Sequence, residues 1–350
     1  MAAADVKALG DRFQMKLRET TSAIKIIRHE ANRVQVEVWE RLSRYVAKYN
    51  HPSRKLDWLK VLEQTFGHRT FVLEATRFGE TVGLLPLAEV RSFLFGKFLV
   101  SLPYLNQGGL VVDDLLVAEK LMDEAIWLSD AMDVRYLELR HEHQITHPKM
   151  SQQRTSKVHM RLALPSTSEE LWSQFKSKLR SQVRNGERNG FLVNWGGAEL
   201  VDDFYRVFSR NMRDLGTPVY SKKLFRKILE HFPSDAELCC VRTQAEPVAA
   251  ALLVHGRGVS EVLSASSLRS FSSKNPNMVM YWHLLQRAIA RGSQVFDFGR
   301  STINENTFRF KKQWGAVPSA AVWQYYVRKG RCDAVRPENG RFSLAIRTWK

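Results

Sequence analysis

The order of strands and helices repeats once along this chain, and this repeat limits the possible folds more than any other feature of the sequence. Each copy runs strand, strand, polar turn or loop, helix, strand. The first copy spans residues 82–90, 97–104, 116–132 and 135–140, and the second spans residues 247–256, 259–266, 278–292 and 294–300. Both final strands end in an arginine, Arg140 and Arg300. The repeat therefore predicts two similar domains.

The predicted fold class is α/β (α+β), with mixed sheets flanked by helices in each domain. Two such domains side by side create a cleft, which is a usual place for ligands. The polar, weakly periodic residues 143–157 are the predicted linker. The predicted division is an N-terminal extension (1–33), a first domain (34–150), a second domain (151–330) and a C-terminal tail (331–350).

Composition and charge restrict the compartment and the partners. The 350 residues include three cysteines, Cys239, Cys240 and Cys332, whose spacing suits neither a disulfide framework nor a zinc site. No run of 18 apolar residues occurs, so we expect no membrane span and a cytoplasmic protein. The formal charge of +17 favours anionic partners such as phosphate groups, nucleic acid or a lipid surface, with generic surface charge as the alternative.

Residues 167–190 are predicted to form one helix with two stripes. The apolar stripe consists of Leu171, Phe175, Leu179 and Val183, and the basic stripe consists of Lys176, Arg180, Arg184 and Arg188. A basic stripe of this kind is either a solvated face or a track for phosphate oxygens, which the forked donors of arginine suit. We take Arg180 and Arg184 as candidate substrate-binding residues.

A second group of candidates follows the last strand of the repeat. In FDFGRSTINENTFRFKKQWG (residues 296–315), Phe296 and Phe298 point to one side of the strand and Asp297 to the other, and Gly299 marks a turn or a close approach. Basic residues alternate with aromatic ones in the segment that follows. Cations beside aromatic rings at the end of a strand predict a partly desolvated positive site.

The motifs DFGRS and F-K-x-x-W-G in this segment resemble the signature of the FemAB family of peptidyl and aminoacyl transferases, and in particular the FemAB-related proteins associated with exosortase (PEP-CTERM) systems. Further matching stretches lie at residues 94–114, 177–191, 211–220 and 275–292, so that the resemblance covers about residues 35–328 in consistent order. The resemblance implies two tandem GNAT-like acyltransferase domains in one chain.

The resemblance also implies a reaction, in which an amine attacks an activated acyl or aminoacyl ester and forms an amide on a cell-envelope precursor of peptidoglycan or exopolysaccharide type. The lysine of the F-K pair falls on Lys311, which would stabilise the oxyanion or the phosphate of the donor. Asp113 would accept or orient the proton of the amine, although Asp114 beside it competes for this role. Residues of the matching stretches complete the predicted substrate site: Phe310, Arg300, Asp297, Trp314, Tyr220, Tyr104, Asn106 and Asn277.

Two departures from the family pattern leave the substrates open. The chain lacks the long coiled-coil arm of some family members that use aminoacyl-tRNA, and DFGRS replaces a DFGG-like form. Acyl-coenzyme A is the rival donor, but neither NQGG (residues 106–109) nor residues 267–277 has the glycine pattern of a pyrophosphate loop. We expect no required cofactor and no metal.

The expected partner is a phosphate-bearing precursor, UDP- or lipid-linked, with tRNA and peripheral contact with the inner membrane left open. Two other functions also stay open. One is an acyl-coenzyme A-dependent N-acetyltransferase of the GNAT type, and the other is a non-catalytic polyanion-binding protein on a degenerate GNAT scaffold.

Overall fold

A computed structural model describes residues 23–92 and 96–329 of the chain. Within these residues the α-helices are α1 (Val36–Val46), α2 (Asp57–Phe66), α3 (Leu115–Ala131), α4 (Ser168–Gln174), α5 (Ser177–Glu187), α6 (Val201–Asp214), α7 (Lys222–His231), α8 (Pro276–Ala290) and α9 (Asn306–Gln313). The strands are β1 (Ile24–Glu30), β2 (Arg69–Arg77), β3 (Glu80–Ser92), β4 (Gly96–Val100), β5 (Val111–Val112), β6 (Tyr136–His141), β7 (Gln152–Arg154), β8 (Lys157–Ala163), β9 (Leu192–Gly196), β10 (Ala236–Arg242), β11 (Pro247–His255), β12 (Val259–Ser267), β13 (Val295–Thr302), β14 (Val317–Ala320) and β15 (Val322–Val327).

These strands form two mixed sheets. The first has the order β1-β2-β3-β4-β6-β15-β7, with β5 paired to β3, and the second has the order β14-β8-β13-β12-β11-β10-β9. Each sheet contains one parallel pair, β4 with β6 and β12 with β13, and in each case the crossover helix, α3 or α8, was predicted by the repeat. We call each sheet with its helices a lobe. The predicted fold class, two α/β units with mixed sheets flanked by helices, is confirmed.

A two-stranded ribbon joins the lobes. β7 pairs with β15 in the first sheet, and β8 pairs with β14 in the second, so that both segments cross from one sheet to the other side by side. The last described strand, β15, follows β14 of the second sheet along the chain but does not extend that sheet, because it pairs with β6 and β7 of the first sheet. The domain division at residue 150 stays a prediction.

The two lobes share a hydrophobic core. Helices α1 and α2 of the first lobe and α6 and α7 of the second lie between the sheets, with α2 packed on α7. Outer cores form beneath α3 in the first lobe and beneath α5, α8 and α9 in the second. Because the shared core contains fully buried side chains from both sheets, such as Leu84 and Leu252, the lobes pack as one body.

The structure corrects the helix predicted at residues 167–190. The helix is broken between α4 and α5, where Phe175 has extended dihedral angles (φ −71°, ψ 143°) and Lys176 is the N-cap of α5. The break turns the ring of Phe175 into the outer core against Trp282 and Trp314. Of the predicted N-terminal extension, residues 24–30 form β1 at the edge of the first sheet. Residues 1–22 and the predicted tail at 331–350 lie outside the described residues.

Candidate active site between the lobes

The parallel strands β12 and β13 separate in the middle of the second sheet. They pair only over Val259–Glu261 and Val295–Asp297, although both strands continue well beyond these residues. The last paired residues, Glu261 and Asp297, are buried carboxylates with 0% and 1% exposure. Burying two acidic groups side by side costs free energy unless each is hydrogen-bonded. We therefore build the candidate site from the residues that bond to these two carboxylates.

The Asp297 carboxylate binds groups from both lobes. Its Oδ2 accepts hydrogen bonds from His51 Nε2 (3.2 Å) and Arg161 Nε (2.8 Å), and its Oδ1 accepts one from the Gly299 backbone N–H (2.7 Å). Burial alone would raise the pKa of Asp297. The hydrogen bond and charge of His51 and the charge of Arg161 outweigh this effect, so the pKa lies well below its usual range. Asp297 is therefore an ionised anchor rather than a proton donor.

Glu261 binds residues of the first lobe. Its Oε2 accepts from the Ser53 hydroxyl (2.7 Å), and its Oε1 accepts from Asn106 Nδ2 (2.8 Å). Burial raises the pKa of Glu261, and the nearby Asp297 charge adds to this, whereas His51 opposes it. The two carboxylates thus differ in acidity, and the first lobe supplies side chains to both.

Lys311 reaches the separated strands from α9. Strand β13 contains a bulge between Asp297 and Arg300, where Gly299 has a φ of 72° that favours glycine. The Lys311 ammonium donates to the carbonyl oxygens of Gly299 (3.1 Å) and Arg300 (2.9 Å) and is 8% exposed. Burial lowers the pKa of Lys311 to about 8, with Asp297 opposing and Arg300 adding to the shift. It is a desolvated cation, not a surface lysine.

Arg300 and Arg140, the arginines that end the two repeats, lie against the same ring. The Arg300 guanidinium lies 3.7 Å from the centre of the Trp323 ring and that of Arg140 lies 4.1 Å from it. Arg300 Nε also donates to Asn106 Oδ1 (3.3 Å). Burial and the charge of Arg140 lower the pKa of Arg300 to about 9. Asn106 therefore links Arg300 to Glu261, and it also lies close to Gly299, where its amide nitrogen is 2.8 Å from the position of an added Cβ.

An apolar cavity of about 290 Å³ lies next to this cluster. Tyr104 and Tyr220 form part of its wall, with their rings in an edge-to-face contact at 5.6 Å. The Tyr104 hydroxyl bonds to His68 Nε2 (2.9 Å), and burial raises the pKa of Tyr104 to about 12. Leu263, Ser264 and Ala265, from the part of β12 that no longer pairs with β13, also line the cavity.

The remaining predicted residues lie elsewhere. Arg180 is half-buried and Arg184 exposed on α5, which packs against α8, the helix that begins with Pro276 and Asn277. Phe310 and Trp314 belong to the aromatic core of the second lobe, where Trp314 is fully buried. These two rings pack against the protein rather than facing the cavity.

The two adjacent aspartates of the first lobe, Asp113 and Asp114, have different partners. Asp114 caps α3 by accepting from the Val117 N–H (2.9 Å) and pairs with Arg77. Asp113 is exposed and accepts from the Tyr45 hydroxyl (2.8 Å). None of the hydrogen bonds among the described residues connects Asp113 with Lys311, Asp297 or Arg300.

Sequence reasoning missed several residues of the cluster, chiefly His51, Glu261, Arg161 and Trp323. Ser53 lies in a short 3-10 turn at Pro52–Arg54 and His51 is its N-cap, and a turn this short has no periodic pattern. For Glu261 a signal existed, since it is the only charged residue of β12, whose other residues are apolar or serine, and charged residues are rarely placed inside a strand of this kind without a partner. Among the described residues no group of three or more His, Cys, Asp or Glu could hold a metal ion. No helix of the described part is long and apolar enough to cross a bilayer.

Comparison with known proteins agrees with this architecture. Residues 173–312 match the family described as "Acetyltransferase (GNAT) domain". The structure of FemX superposes with a TM-score of 0.66 at 16% identity, over 87% of this chain and 97% of FemX. A tandem GNAT protein from the clavulanic acid biosynthesis pathway gives 0.55 at 9% identity, over 88% and 99% of the two chains.

The structure of L-PGS from Bacillus licheniformis gives a TM-score of 0.54 at 12% identity, covering 89% of this chain and 96% of L-PGS. No curated protein matches the sequence. At these identities the structural similarities establish the fold, which is a tandem arrangement of two GNAT-like domains. The FemAB-like architecture implied by the sequence motifs is therefore present.

Proposed function

We propose that this chain is an acyltransferase that moves an acyl or aminoacyl group onto an amine of a phosphate-bearing envelope precursor, forming an amide in the cytoplasm. The observation that carries the proposal is the separation of β12 and β13 beside the apolar cavity. Beyond Glu261, β12 and β13 no longer pair. The backbone N–H and carbonyl groups on the β13 side of β12 can therefore bind an extended donor. The cavity shields the reacting carbonyl from water, which strengthens electrostatic stabilisation.

Lys311 is the residue we assign to oxyanion stabilisation. Two of its three N–H groups bind the carbonyl oxygens of Gly299 and Arg300, and these bonds orient the third. When the amine attacks, the donor carbonyl oxygen gains negative charge that a fixed, desolvated cation stabilises. The intermediate then collapses with loss of the hydroxyl or thiol leaving group, and the amine proton passes to that group.

Asp113 is the residue we assign to the amine, and the hydrogen bond that it accepts from the Tyr45 hydroxyl orients its carboxylate. We propose that it accepts the proton that the acceptor amine loses as the amide forms and passes this proton to the leaving group. Tyr104, Tyr220, Asn106, Arg300 and Asp297 would position the acceptor between the lobes. Arg180, Arg184 and Asn277, on the face formed by α5 and α8, would bind the phosphates of the donor.

An aminoacyl donor is favoured by the structural similarity to FemX and to the C-terminal domain of a putative lysylphosphatidylglycerol synthetase from Agrobacterium fabrum. An acyl-coenzyme A donor is the second candidate, because residues 173–312 match an acetyltransferase domain. The 3-10 segment Arg269–Lys274, which precedes α8, lacks the glycines of a pyrophosphate loop, which disfavours this second donor. The link to exosortase systems stays a prediction.

A two-stage measurement tests the proposal. Purified protein is first screened by thermal shift against aminoacyl-tRNA, acetyl-coenzyme A and a UDP-linked muropeptide, and any binding pair is then assayed for amide formation by mass spectrometry. We expect a stabilising shift with aminoacyl-tRNA and with the muropeptide, and a mass increase of one aminoacyl residue. A shift with acetyl-coenzyme A alone would establish the second candidate, and binding without any amide product would contradict catalysis.

A further inference from the structure

We infer that Arg300 and Arg140 form a binding site for the single anionic group, carboxylate or phosphate, of an amphipathic substrate whose apolar part fills the neighbouring cavity. The inference deepens the proposed function by naming the chemical class of one substrate, and it rests on that function for the meaning of the site. The binding itself can be measured without any transfer reaction.

The two guanidinium groups are held in place before any ligand arrives. They lie near the Trp323 ring at 3.7 Å (Arg300) and 4.1 Å (Arg140). Trp323 is 8% exposed and belongs to β15, directly opposite Arg140 in the sheet. Stacking on an aromatic ring fixes the plane of a guanidinium without using its N–H groups. The donors therefore need little reordering to bind an anion.

Among the described residues, the two arginines have one carboxylate partner between them. Arg140 has one carboxylate partner, Glu138, through its Nε (2.7 Å), and its Nη1 donates to the Leu105 carbonyl (2.7 Å) and, more weakly, to that of Leu102 (3.4 Å). Arg300 makes one hydrogen bond, from Nε to Asn106, and forms no ion pair with any described residue. Two arginines with one carboxylate leave one positive charge in a largely desolvated place, and an anionic ligand would neutralise it.

The same residues connect the arginines to the cavity. Leu105, whose carbonyl binds Arg140, lines the cavity, and so does Tyr104 beside it. Asn106, which follows in sequence, binds Arg300. The contacts of Leu105 with Arg140 and of Asn106 with Arg300 thus place both arginines next to the cavity wall.

The chemistry of the two parts selects the ligand class. The cavity of about 290 Å³ is small for a ligand site, and its lining is apolar and aromatic apart from Ser264 and the tyrosine hydroxyls. An apolar group gains free energy by entering it, whereas a second charge inside it would be penalised. A molecule with one anionic group attached to an apolar body satisfies both parts.

Calorimetric titration with simple probes tests the inference on the full-length protein. The probes are octanoate, octyl phosphate and octanol, which share one chain and differ in the head group. We expect the two anions to bind about tenfold to a hundredfold more tightly than octanol, because hydrogen bonds to charged groups are worth that much. Tighter binding of octanoate or of octyl phosphate identifies the head group as carboxylate or phosphate. Equal affinity for octanol and both anions, or no binding of any probe, would overturn the inference.

Variants locate the binding. Arg300→Gln should remove the preference for the anions while leaving octanol binding unchanged, and Arg309→Gln, an exposed arginine of α9, is the matched control. Ala265→Leu, which fills part of the cavity, should weaken octanoate about tenfold or more and leave acetate unchanged. If Arg300→Gln does not fold, Arg300→Lys keeps a charge but loses the fork, and undiminished anion affinity in that variant would contradict the site.

Failure here is distinguishable from failure of the proposed function. Amide formation with a substrate that has no anionic group, together with absent octanoate binding, would refute this inference alone. Octanoate binding that depends on Arg300, in a protein that makes no amide with any donor, would refute the proposed catalysis and leave the anion site in place.

Discussion

At the point where their parallel strands separate, the two lobes differ in what occupies the gap. In the first lobe the chain following β4 closes it: the Ser101 N–H donates to the Glu138 carbonyl (2.9 Å), and the N–H groups of Gly108 and Gly109 donate to the Arg140 carbonyl (3.3 and 2.9 Å). In the second lobe the equivalent carbonyl, that of Arg300, accepts from the Lys311 side chain instead. In one lobe backbone N–H groups bind this carbonyl and close the gap, whereas in the other a lysine side chain binds it beside the gap.

The comparison extends to the neighbouring carboxylates. By the register of the parallel pairs, Glu138 of β6 is equivalent to Asp297 of β13. Glu138 binds the arginine two residues further along its own strand, whereas Asp297 binds His51 of the other lobe and Arg161 of β8. The same arrangement of strands thus has a closed gap in the first lobe and an open gap with the candidate site in the second. Side chains of the first lobe bind the carboxylates of that site.

The largest effect is expected from Lys311→Ala. If Lys311 acts on the oxyanion, kcat/KM for amide formation should fall about a hundredfold or more, since a single oxyanion donor is worth about 3–4 kcal/mol. Lys312→Ala, on the same helix but exposed, is the control. Lys311 could instead serve only to bind the Arg300 carbonyl, as Gly108 and Gly109 bind the Arg140 carbonyl. In that case the variant will be less stable in urea unfolding, while its kcat stays within a few-fold of the wild-type value.

Acid should destabilise both lobes through buried neutral histidines. Burial lowers the pKa of His141 in the first lobe to about 3 and of His159 in the second to about 4, with the Arg54 charge adding to the first shift and Asp297 opposing the second. The unfolded chain, with a histidine pKa near 6.5, takes up these protons first, so stability falls as the pH drops from about 6.5 toward 4.

Each histidine should cost about 2–3 kcal/mol by pH 4.5. Asp297, with its low pKa, stays ionised in this window, whereas Glu261, with its raised pKa, partly offsets the loss. Urea unfolding of His141→Gln and His159→Gln at pH 7.5 and 4.5 measures the contribution of each histidine separately. An unchanged pH dependence in both variants would show that these histidines are not the groups responsible.

The backbone hydrogen bonds that close the gap between β4 and β6 need a glycine at position 109. A Cβ at this position would lie 2.3 Å from His141 Nδ1 and 2.8 Å from the Arg140 carbonyl oxygen, so Gly109→Ala should lower the free energy of unfolding by about 1–3 kcal/mol. Gly67→Ala, with open space but a φ of 69°, controls for substitution at a glycine where only backbone strain is present. Equal stability of Gly109→Ala and the wild type would mean that the loop is not tightly closed.

The smallest effect is expected on the basic face of the second lobe. Arg180→Gln with Arg184→Gln should weaken tRNA binding a few-fold and reduce its dependence on salt, because fewer phosphate contacts release fewer counterions. Fluorescence anisotropy at two salt concentrations measures both quantities. If charge reversal at these positions abolishes function in cells while Lys311→Ala does not, the chain is a polyanion-binding protein and not an enzyme.

The sequence was sufficient for the repeated architecture because its evidence is local. Strand alternation, helical spacing and the glycine after α8 each identify an element from its own residues. The partner of β15 could not be predicted in this way, since alternation in residues 322–327 does not specify which sheet edge the strand joins. The break at Phe175 also lacked a signal, because no proline or glycine marks it and core packing of the ring decides the conformation.

For the site, the motif residues Asp297, Arg300 and Lys311 converge with Asn106, as the predicted cleft required. Trp314 and Phe310 share the motif but serve the core, since an aromatic residue next to a cation is equally compatible with packing. His51 and Trp323 escaped prediction because their role depends on the other lobe. A single sequence carries no trace of a contact between residues 246 positions apart, such as His51 with Asp297.

The ribbon formed by β7–β8 and β14–β15 has a consequence for how this protein is made. The first sheet needs β15, which is among the last described strands to leave the ribosome, for its interior position between β6 and β7. The half of the molecule that is synthesised first therefore keeps an open sheet edge until residues 322–327 have been synthesised. A ribosome stalled before residue 317 would hold two unfinished lobes, because both β14 and β15 would still be missing.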